Sequence, residues 1–378
     1  MMKNSIIFIS PDYHCSFFYR NELRKLGWKA DIYVPPDYPA LMLFDRPDFI
    51  YKPITGIPWL LKAHRFFWRT RFFLFILFRY RYHFYYCGID QFNFGEPKIP
   101  LLRAIDPSFR IHLWLSRLFG RKVIHLPSGV PDEEMPEEVE KLGNKEEGVK
   151  TEDPERMKIW FDILRRYADI NLGYGHINSS QYKATHIKYK VLDMKIFSPD
   201  IEIPDRLRLP PTKNLRVLHS FMFSKERLEK YEGNIKGTKY IQEAMDRLID
   251  EGYPVEYMFF DRVPANEYRF IQMQADIVVE ELIRGGWGST ALECIALGKP
   301  VITYVRPEWE AFYYQCFPET RPFPFINANK FDIYDVLKRV VVDEDFRKTR
   351  AKESRAWAEK HLDPVANVKA FSEILLKV

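Results

Sequence analysis

Along the chain, short apolar runs alternate with stretches whose apolar residues recur every three or four positions. This is the pattern of buried strands joined by amphipathic helices. SIIFIS, from residue 5, reads as a first strand, followed by the loop PDYHC, a helix FFYRNELRKLG closed at Gly27, and a second strand, ADIYVP. The rhythm resumes with the strand RYHFYYCG, the helix SFRIHLWLSRLFG, the strand RKVIHLP and the helix-then-strand KIWFDILRRYADINLGYG; HIKYKVLDMKIFSPD is expected as the last strand of this series. A second series opens with the strand LRVLHSF. In the helix IKGTKYIQEAMDRLIDEG that follows, Tyr240, Ile241, Ala244, Met245, Leu248 and Ile249 share one face and Gly252 closes it. PVEYMFFDRVP and ADIVVEE are strands, STALECIAL is a helix stopped at Gly298, and KPVITYV and FPFIN are strands before a helix around FDIYDVLKRVV. From Asp345 the tail is charged and helical.

Between the two series, residues 197–214 hold four prolines and little periodicity, so the domain boundary is placed there. The expected layout is an N-terminal Rossmann-like domain over 1–196, a linker over 197–214, a C-terminal Rossmann-like domain over 215–345, and closing helices over 346–378 that pack back on the first domain. The class is α/β, and 378 residues suit two domains. With 46% apolar and 29% charged residues the chain is that of a globular protein. No secretory leader is expected, because SIIFIS is short and runs into PDYHCSFF, and no apolar run approaches a membrane span. Cys15, Cys87, Cys294 and Cys316 are widely spaced, which suits reduced thiols and a cytoplasmic location, and NSS at Asn178 is read as a chance match.

Two stretches break the alternation. Residues 133–157 are crowded with charge and read as an exposed insertion. Between Asp48 and Asp90 there is no acidic residue, while Lys52, Lys62, Arg65, Arg69, Arg71, Arg79 and Arg81 are interleaved with aromatics in a basic-aromatic segment, 52–86. Such a helix could lie on an anionic membrane through residues 60–85, or be a core helix with arginines reaching solvent. Nucleic acid is set aside, since no nucleic-acid motif accompanies it.

The chemistry concentrates in residues 275–304. Gly285, Gly286 and Gly288 form a tight loop between strand and helix, and backbone without Cβ atoms facing a helix N-terminus suits a phosphate or diphosphate. Sheets of this kind bind ligands beyond the carboxyl ends of their strands, which puts Asp12 and His14 at a cleft. His14 is a candidate base or acceptor-hydroxyl contact, against a surface or capping role. DED at Asp343–Asp345 precedes a charged helix and reads as a cap rather than a metal motif.

The strand beginning Ala275-Asp276, the Gly-Trp-Gly loop, Glu293 in the helix and Gly298-Lys-Pro-Val-Ile together resemble the donor site of retaining glycosyltransferases of the GT-B fold, family 4. The resemblance implies two Rossmann-like domains facing a central cleft, with the C-terminal domain holding a nucleotide sugar. It assigns donor binding to Gly285, Gly286, Trp287, Gly288, Ser289 and Thr290, with Arg284, Glu280, Glu281 and Gly237 alongside. Lys236, in Lys-Gly-Thr, resembles the donor-phosphate lysine. The family's arginine position falls on Tyr231, with Lys225, Arg227, Lys230 and Arg284 as nearby candidates. Glu293 stands at the glutamate that bonds the donor ribose, although Thr290-Ala-Leu-Glu293 also satisfies a capping box. The family's first glutamate falls on Gly285; Glu280 and Glu281 replace it, or catalysis is weakened or lost. On the acceptor side, His125, Gly129 and Asp132 echo the family partially, and Asp12 joins them.

The function implied is transfer of a sugar from a nucleotide sugar to a glycan or lipid-linked acceptor, with anomeric retention and no obligatory metal or other cofactor. Lys236, Glu293 and His14 are the expected catalytic set. The alternatives are a non-catalytic GT-B module that binds a glycan or partner, and a sugar-nucleotide epimerase.

Overall fold

Two parallel sheets carry the described part of the chain. The structure, a computed structural model, describes residues 3–35, 38–51, 58–86, 106, 108–127, 154–175, 183–219 and 236–378. Cys87, Gly129, Asp132, Asn178, Lys225, Arg227, Lys230 and Tyr231, with residues 52–57 and 133–153, lie outside the described residues. The first sheet holds β1 (Ser5–Ile9), β2 (Lys29–Val34), β3 (Phe49–Ile50), β4 (Tyr82–Tyr86), β5 (Lys122–Leu126), β6 (Ile170–Gly173) and β7 (Thr185–His186), in the order β3-β2-β1-β4-β5-β6-β7. The second holds β8 (Leu215–Leu218), β9 (Val255–Met258), β10 (Ile277–Val279), β11 (Val301–Thr303) and β12 (Ile326–Asn327), in the order β12-β11-β10-β8-β9. Every neighbouring pair is parallel. Strand order reverses between β1 and β4 in one sheet and between β8 and β10 in the other, so each sheet has a crevice beyond its strand ends where a ligand is favoured.

Parallel strands are covered on both faces, which is why these runs are continuously apolar. One face of the first sheet packs on α2 (Pro58–Arg79), α3 (Ile111–Leu118) and α4 (Pro154–Tyr167) through Phe72, Phe73, Ile76, Leu113 and Leu164. The other face meets α1 (Cys15–Lys25) and the chain's last helix, α11 (Pro364–Leu376). The ring of Phe371 on α11 lies 5.1 Å from that of Tyr19, and the Tyr82 hydroxyl donates to the Leu375 carbonyl at 2.7 Å.

Around the second sheet lie α5 (Thr238–Asp250), α6 (Ala265–Gln272), α7 (Ser289–Ala296), α8 (Pro307–Cys316), α9 (Ile333–Val342) and α10 (Glu344–His361). On α5 the apolar face buries Ile241, Ala244, Met245 and Leu248, while Ile249 stays exposed. Asp343 caps α10 by accepting from the Phe346 N–H at 2.9 Å. On α10, Arg355 donates to the Phe197 carbonyl at 2.6 Å and to the carbonyl of Ala296 on α7, tying the two halves together.

Two sequence expectations change. The charged stretch does not run to residue 157, because Pro154 already starts α4, where a proline at the first helical position loses no hydrogen bond. The long strand expected around residues 186–200 is only the two-residue edge strand β7. Past it, the Tyr189 N–H bonds to the Ile187 carbonyl, which turns the chain off the sheet and carries Lys190 toward the second half. Among the described residues no helix is long and apolar enough to cross a membrane.

Candidate functional site

Two turns of the second sheet build one wall of the cleft. Lys236 precedes Gly237, whose left-handed backbone (φ 78°) starts α5; a Cβ there would lie 2.8 Å from the Leu282 Cβ. Lys236 Nζ sits 2.6 Å from Glu280 Oε1 and 2.7 Å from Glu281 Oε2, both carboxylates being nearly buried just past β10. Glu280 also accepts from the Gly288 N–H at 3.2 Å, and Glu281 from the Arg284 N–H at 2.9 Å. Burial works against the Lys236 charge, but the two carboxylates prevail and hold its pKa above the ordinary lysine value. Burial raises the Glu281 pKa.

The glycine loop has no room for side chains. Gly285 is left-handed (φ 78°), and a Cβ on it would lie 2.8 Å from the Arg306 Cβ and 2.9 Å from Tyr304. On Gly286 a Cβ would lie 1.7 Å from the Trp309 ring, and on Gly288 2.8 Å from Glu280 Oε1. A glutamate at residue 285, expected there from the sequence resemblance, is thus excluded sterically, and the carboxylates at Lys236 are those of Glu280 and Glu281. Trp287 turns into the fold, stacked on Trp309 at 5.3 Å and meeting Phe323 at 4.6 Å.

The capping box expected at Thr290–Glu293 does not form. Gly288 is the N-cap of α7, with no side-chain cap, and Ser289 and Thr290 are already helical, so Glu293 falls past the first turn. Its Oε2 accepts from Gln272 Nε2 of α6 at 2.6 Å, and its Oε1 faces His14 Nδ1 at 3.2 Å. Beneath both turns His219 links Val279 O (2.9 Å) to Thr238 Oγ1 (2.9 Å). Burial pushes its pKa down to about 4, so it is neutral there.

The opposite wall is the loop after β1. It reaches the cleft without glycine, Ser10 (φ 66°) and Tyr13 (φ 38°) taking left-handed backbone. Fully buried Asp12 accepts from Lys190 Nζ at 2.6 Å through Oδ2, while Oδ1 has no hydrogen-bond partner. Lys190 Nζ is also 3.4 Å from Ser289 Oγ, at the start of α7. His14 is no surface residue: it stands at the N-cap position of α1 without a side-chain cap bond and is buried against Phe18, Phe44 and Phe197. Burial opposes its charge, yet the Cys15 thiol and the Glu293 carboxylate outweigh it and push its pKa up to about 10.

His125 does not join this group. It lies in β5 with its ring 5.4 Å from that of Trp160 on α4, on the face of the sheet that α2, α3 and α4 cover. Lys190 and Gln272 went unmarked in the sequence, Lys190 because Lys188-Tyr-Lys190 reads there as an ordinary strand alternation. Among the described residues no group of three or more His, Cys, Asp or Glu is placed to hold a metal ion.

No family model and no curated protein matches the sequence. Solved structures do match over nearly the whole chain. Sucrose-phosphate synthase from Thermosynechococcus elongatus is similar with a TM-score of 0.61 and 14% identity, covering 99% of each chain. HepE from Anabaena, in complex with UDP and glucose, gives 0.56 and 11%, covering 99% of this chain and 100% of that one. UDP-GlcNAc 2-epimerase from Neisseria meningitidis, bound to UDP-GlcNAc, gives 0.53 and 8%, again covering 99% and 100%. The fold is GT-B, shared by glycosyltransferases and by sugar-nucleotide epimerases.

Proposed function

We propose that the protein is a retaining glycosyltransferase that moves a sugar from a nucleotide-sugar donor to a glycan or lipid-linked acceptor. The observation that carries this reading is the convergence, at the switch point of the second sheet, of Lys236, the three glycines of the Gly285–Gly288 loop and the N-terminus of α7, which carries no side-chain cap. A diphosphate there would meet the N–H groups of Ser289 and Thr290 and the positive end of the helix dipole, with Arg284 and Gly237 beside it. Its charge competes with Glu280 and Glu281 for Lys236, which then stabilises the departing phosphate. Glu293 exchanges His14 for the donor ribose, and Asp12 and His14 face the acceptor. No metal or other cofactor is required.

The acceptor is assigned to a membrane surface through α2. Leu60, Phe67, Arg71, Leu74 and Phe78 form a stripe opposite its buried face, and Phe67 and Phe78 are 70% and 59% exposed. The Phe78 ring meets Phe119 at 5.4 Å, extending the stripe to exposed Trp114 and Leu118 on α3. Arg65, Arg79 and Arg117 supply positive charge and no acidic residue interrupts the face, which suits an anionic bilayer at the cytoplasmic side and a role in envelope glycan synthesis. Replacing Phe67 and Phe78 by Ser should abolish cosedimentation with phosphatidylglycerol vesicles; unchanged cosedimentation would remove this part of the reading.

The tight Lys236–Glu280–Glu281 cluster favours a second reading, a module that binds a glycan or partner without turnover, because two carboxylates oppose an incoming diphosphate. The test incubates the protein with UDP- and GDP-sugars and bacterial membrane lipid, and follows free nucleotide and the anomeric configuration of any product. Nucleotide released with a retained glycosidic bond supports the transferase. An epimerised sugar with no transfer, whether still on its nucleotide or released by water, identifies an epimerase, and binding without turnover identifies the module.

A further inference from the structure

The start of α7 is flanked by two lysines, one from each half of the molecule. Lys236 Nζ lies 3.6 Å from where a Cβ on Gly288 would stand, and Lys190 Nζ lies 3.4 Å from the next residue's Ser289 Oγ. Each is held by carboxylate, Lys236 by Glu280 and Glu281, and Lys190 by Asp12. The two arrangements differ in one respect. Asp12 is fully buried and its second oxygen, Oδ1, has no partner, an expensive state for a carboxylate unless a ligand completes it.

We propose that Lys190 is a second diphosphate-binding cation, delivered from the seven-stranded half, and that Asp12 holds it in place. This rests on the donor-site reading above. Backbone N–H groups at the helix start and a lysine on each side would enclose the phosphates. Because Lys190 belongs to the opposite half, the charge of the donor also draws the two halves together. The lysine recognises phosphate charge rather than the base, so its loss must fall on nucleotides and spare nucleosides.

Calorimetric titration of the full chain with UDP, GDP and CDP, and with uridine, guanosine and cytidine, tests this on wild type, Lys190→Met, Lys190→Arg and the double variant Asp12→Asn/Lys190→Met. The double variant leaves no unpaired buried charge, so it separates a binding loss from a folding loss. Lys190→Met should weaken the preferred diphosphate about tenfold or more, the worth of one charge-assisted hydrogen bond, leave its nucleoside unchanged and flatten the salt dependence. Lys190→Arg should recover most of the affinity, and the double variant should bind as weakly as Lys190→Met. Equal loss for nucleoside and diphosphate, wild-type affinity in Lys190→Met, or recovery in the double variant would overturn the role of Lys190 while leaving the donor site standing. A wild type that binds no diphosphate would overturn both.

Discussion

The two loops that face each other across the cleft, after β1 and after β10, solve the same geometric problem in opposite ways. The β10 loop presents bare backbone at Gly285, Gly286 and Gly288, where a Cβ would lie within 3 Å of Arg306, the Trp309 ring or Glu280. The β1 loop has no glycine, bends through left-handed Ser10 and Tyr13, and presents side chains, Asp12 and His14. Backbone N–H groups suit a phosphate, whose recognition is charge and little else. Side chains suit an acceptor, whose hydroxyls need a directed partner. On the proposed reading, the division of labour between the halves lies in the chemistry of these two short turns.

The largest effect that would sharpen this contrast is at Lys236. Lys236→Ala leaves Glu280 and Glu281 buried together without their cation, and should cost about 3–5 kcal/mol in urea unfolding as well as abolishing nucleotide binding. Adding Glu280→Gln to that variant should recover stability without recovering binding. If stability recovers and binding returns with it, Lys236 is no phosphate ligand.

Next come the glycines. Gly286→Ala drives a methyl into the Trp309 ring and should lower stability by about 1–3 kcal/mol. Gly285→Glu, the residue expected there from the sequence resemblance, should likewise destabilise and bring no gain in turnover, because the position is closed by Arg306 and Tyr304. A more active Gly285→Glu protein would show that Glu280 and Glu281 are poor substitutes.

On the side-chain wall the test is pH. His14 has its pKa raised in the fold from 6.5 to about 10. Its interactions with Cys15 and Glu293 therefore stabilise fully below about pH 6.5, weaken as pH rises above that and are lost through about pH 10. His14→Gln should flatten the melting temperature across that window, and a variant that keeps the wild-type slope would assign it to another group.

The smallest effect runs opposite to the glycine variants. Tyr13→Gly removes left-handed strain at the cost of chain entropy, and should raise stability by up to about 1 kcal/mol in thermal unfolding. Loss of stability there would show that the Tyr13 side chain matters more than its backbone.

The β10–α7–β11 unit was legible in the sequence because everything in it is local: apolar strand, glycine loop and apolar helix follow one another within thirty residues. Lys236 was legible for the same reason, standing just ahead of Gly237 at a helix start. The contacts that close the cleft were not. His14 meets Glu293 and Lys190 reaches Ser289 only because the two halves face each other, and no periodicity records that. The capping box was misread for a smaller reason. Gly288 can begin the helix with its own extended backbone, which shifts the first turn and frees Glu293 for Gln272 and His14. His125 was misplaced because alternation along β5 gives two faces, and the sequence does not say which of them turns His125 toward Trp160 of α4.

The measurement to make first is thermal stabilisation by UDP, GDP and CMP and their sugars, with and without Mg²⁺, on wild type, Lys236→Ala and Glu293→Ala. A ligand at a hundred times its dissociation constant should stabilise the wild type by ~2.7 kcal/mol, a clear rise in melting temperature. A shift with one nucleotide family, indifferent to Mg²⁺ and absent from both variants, is the result expected of a donor site built on Lys236 and the glycine loop. No shift with any nucleotide would contradict it and leave a GT-B fold put to another use.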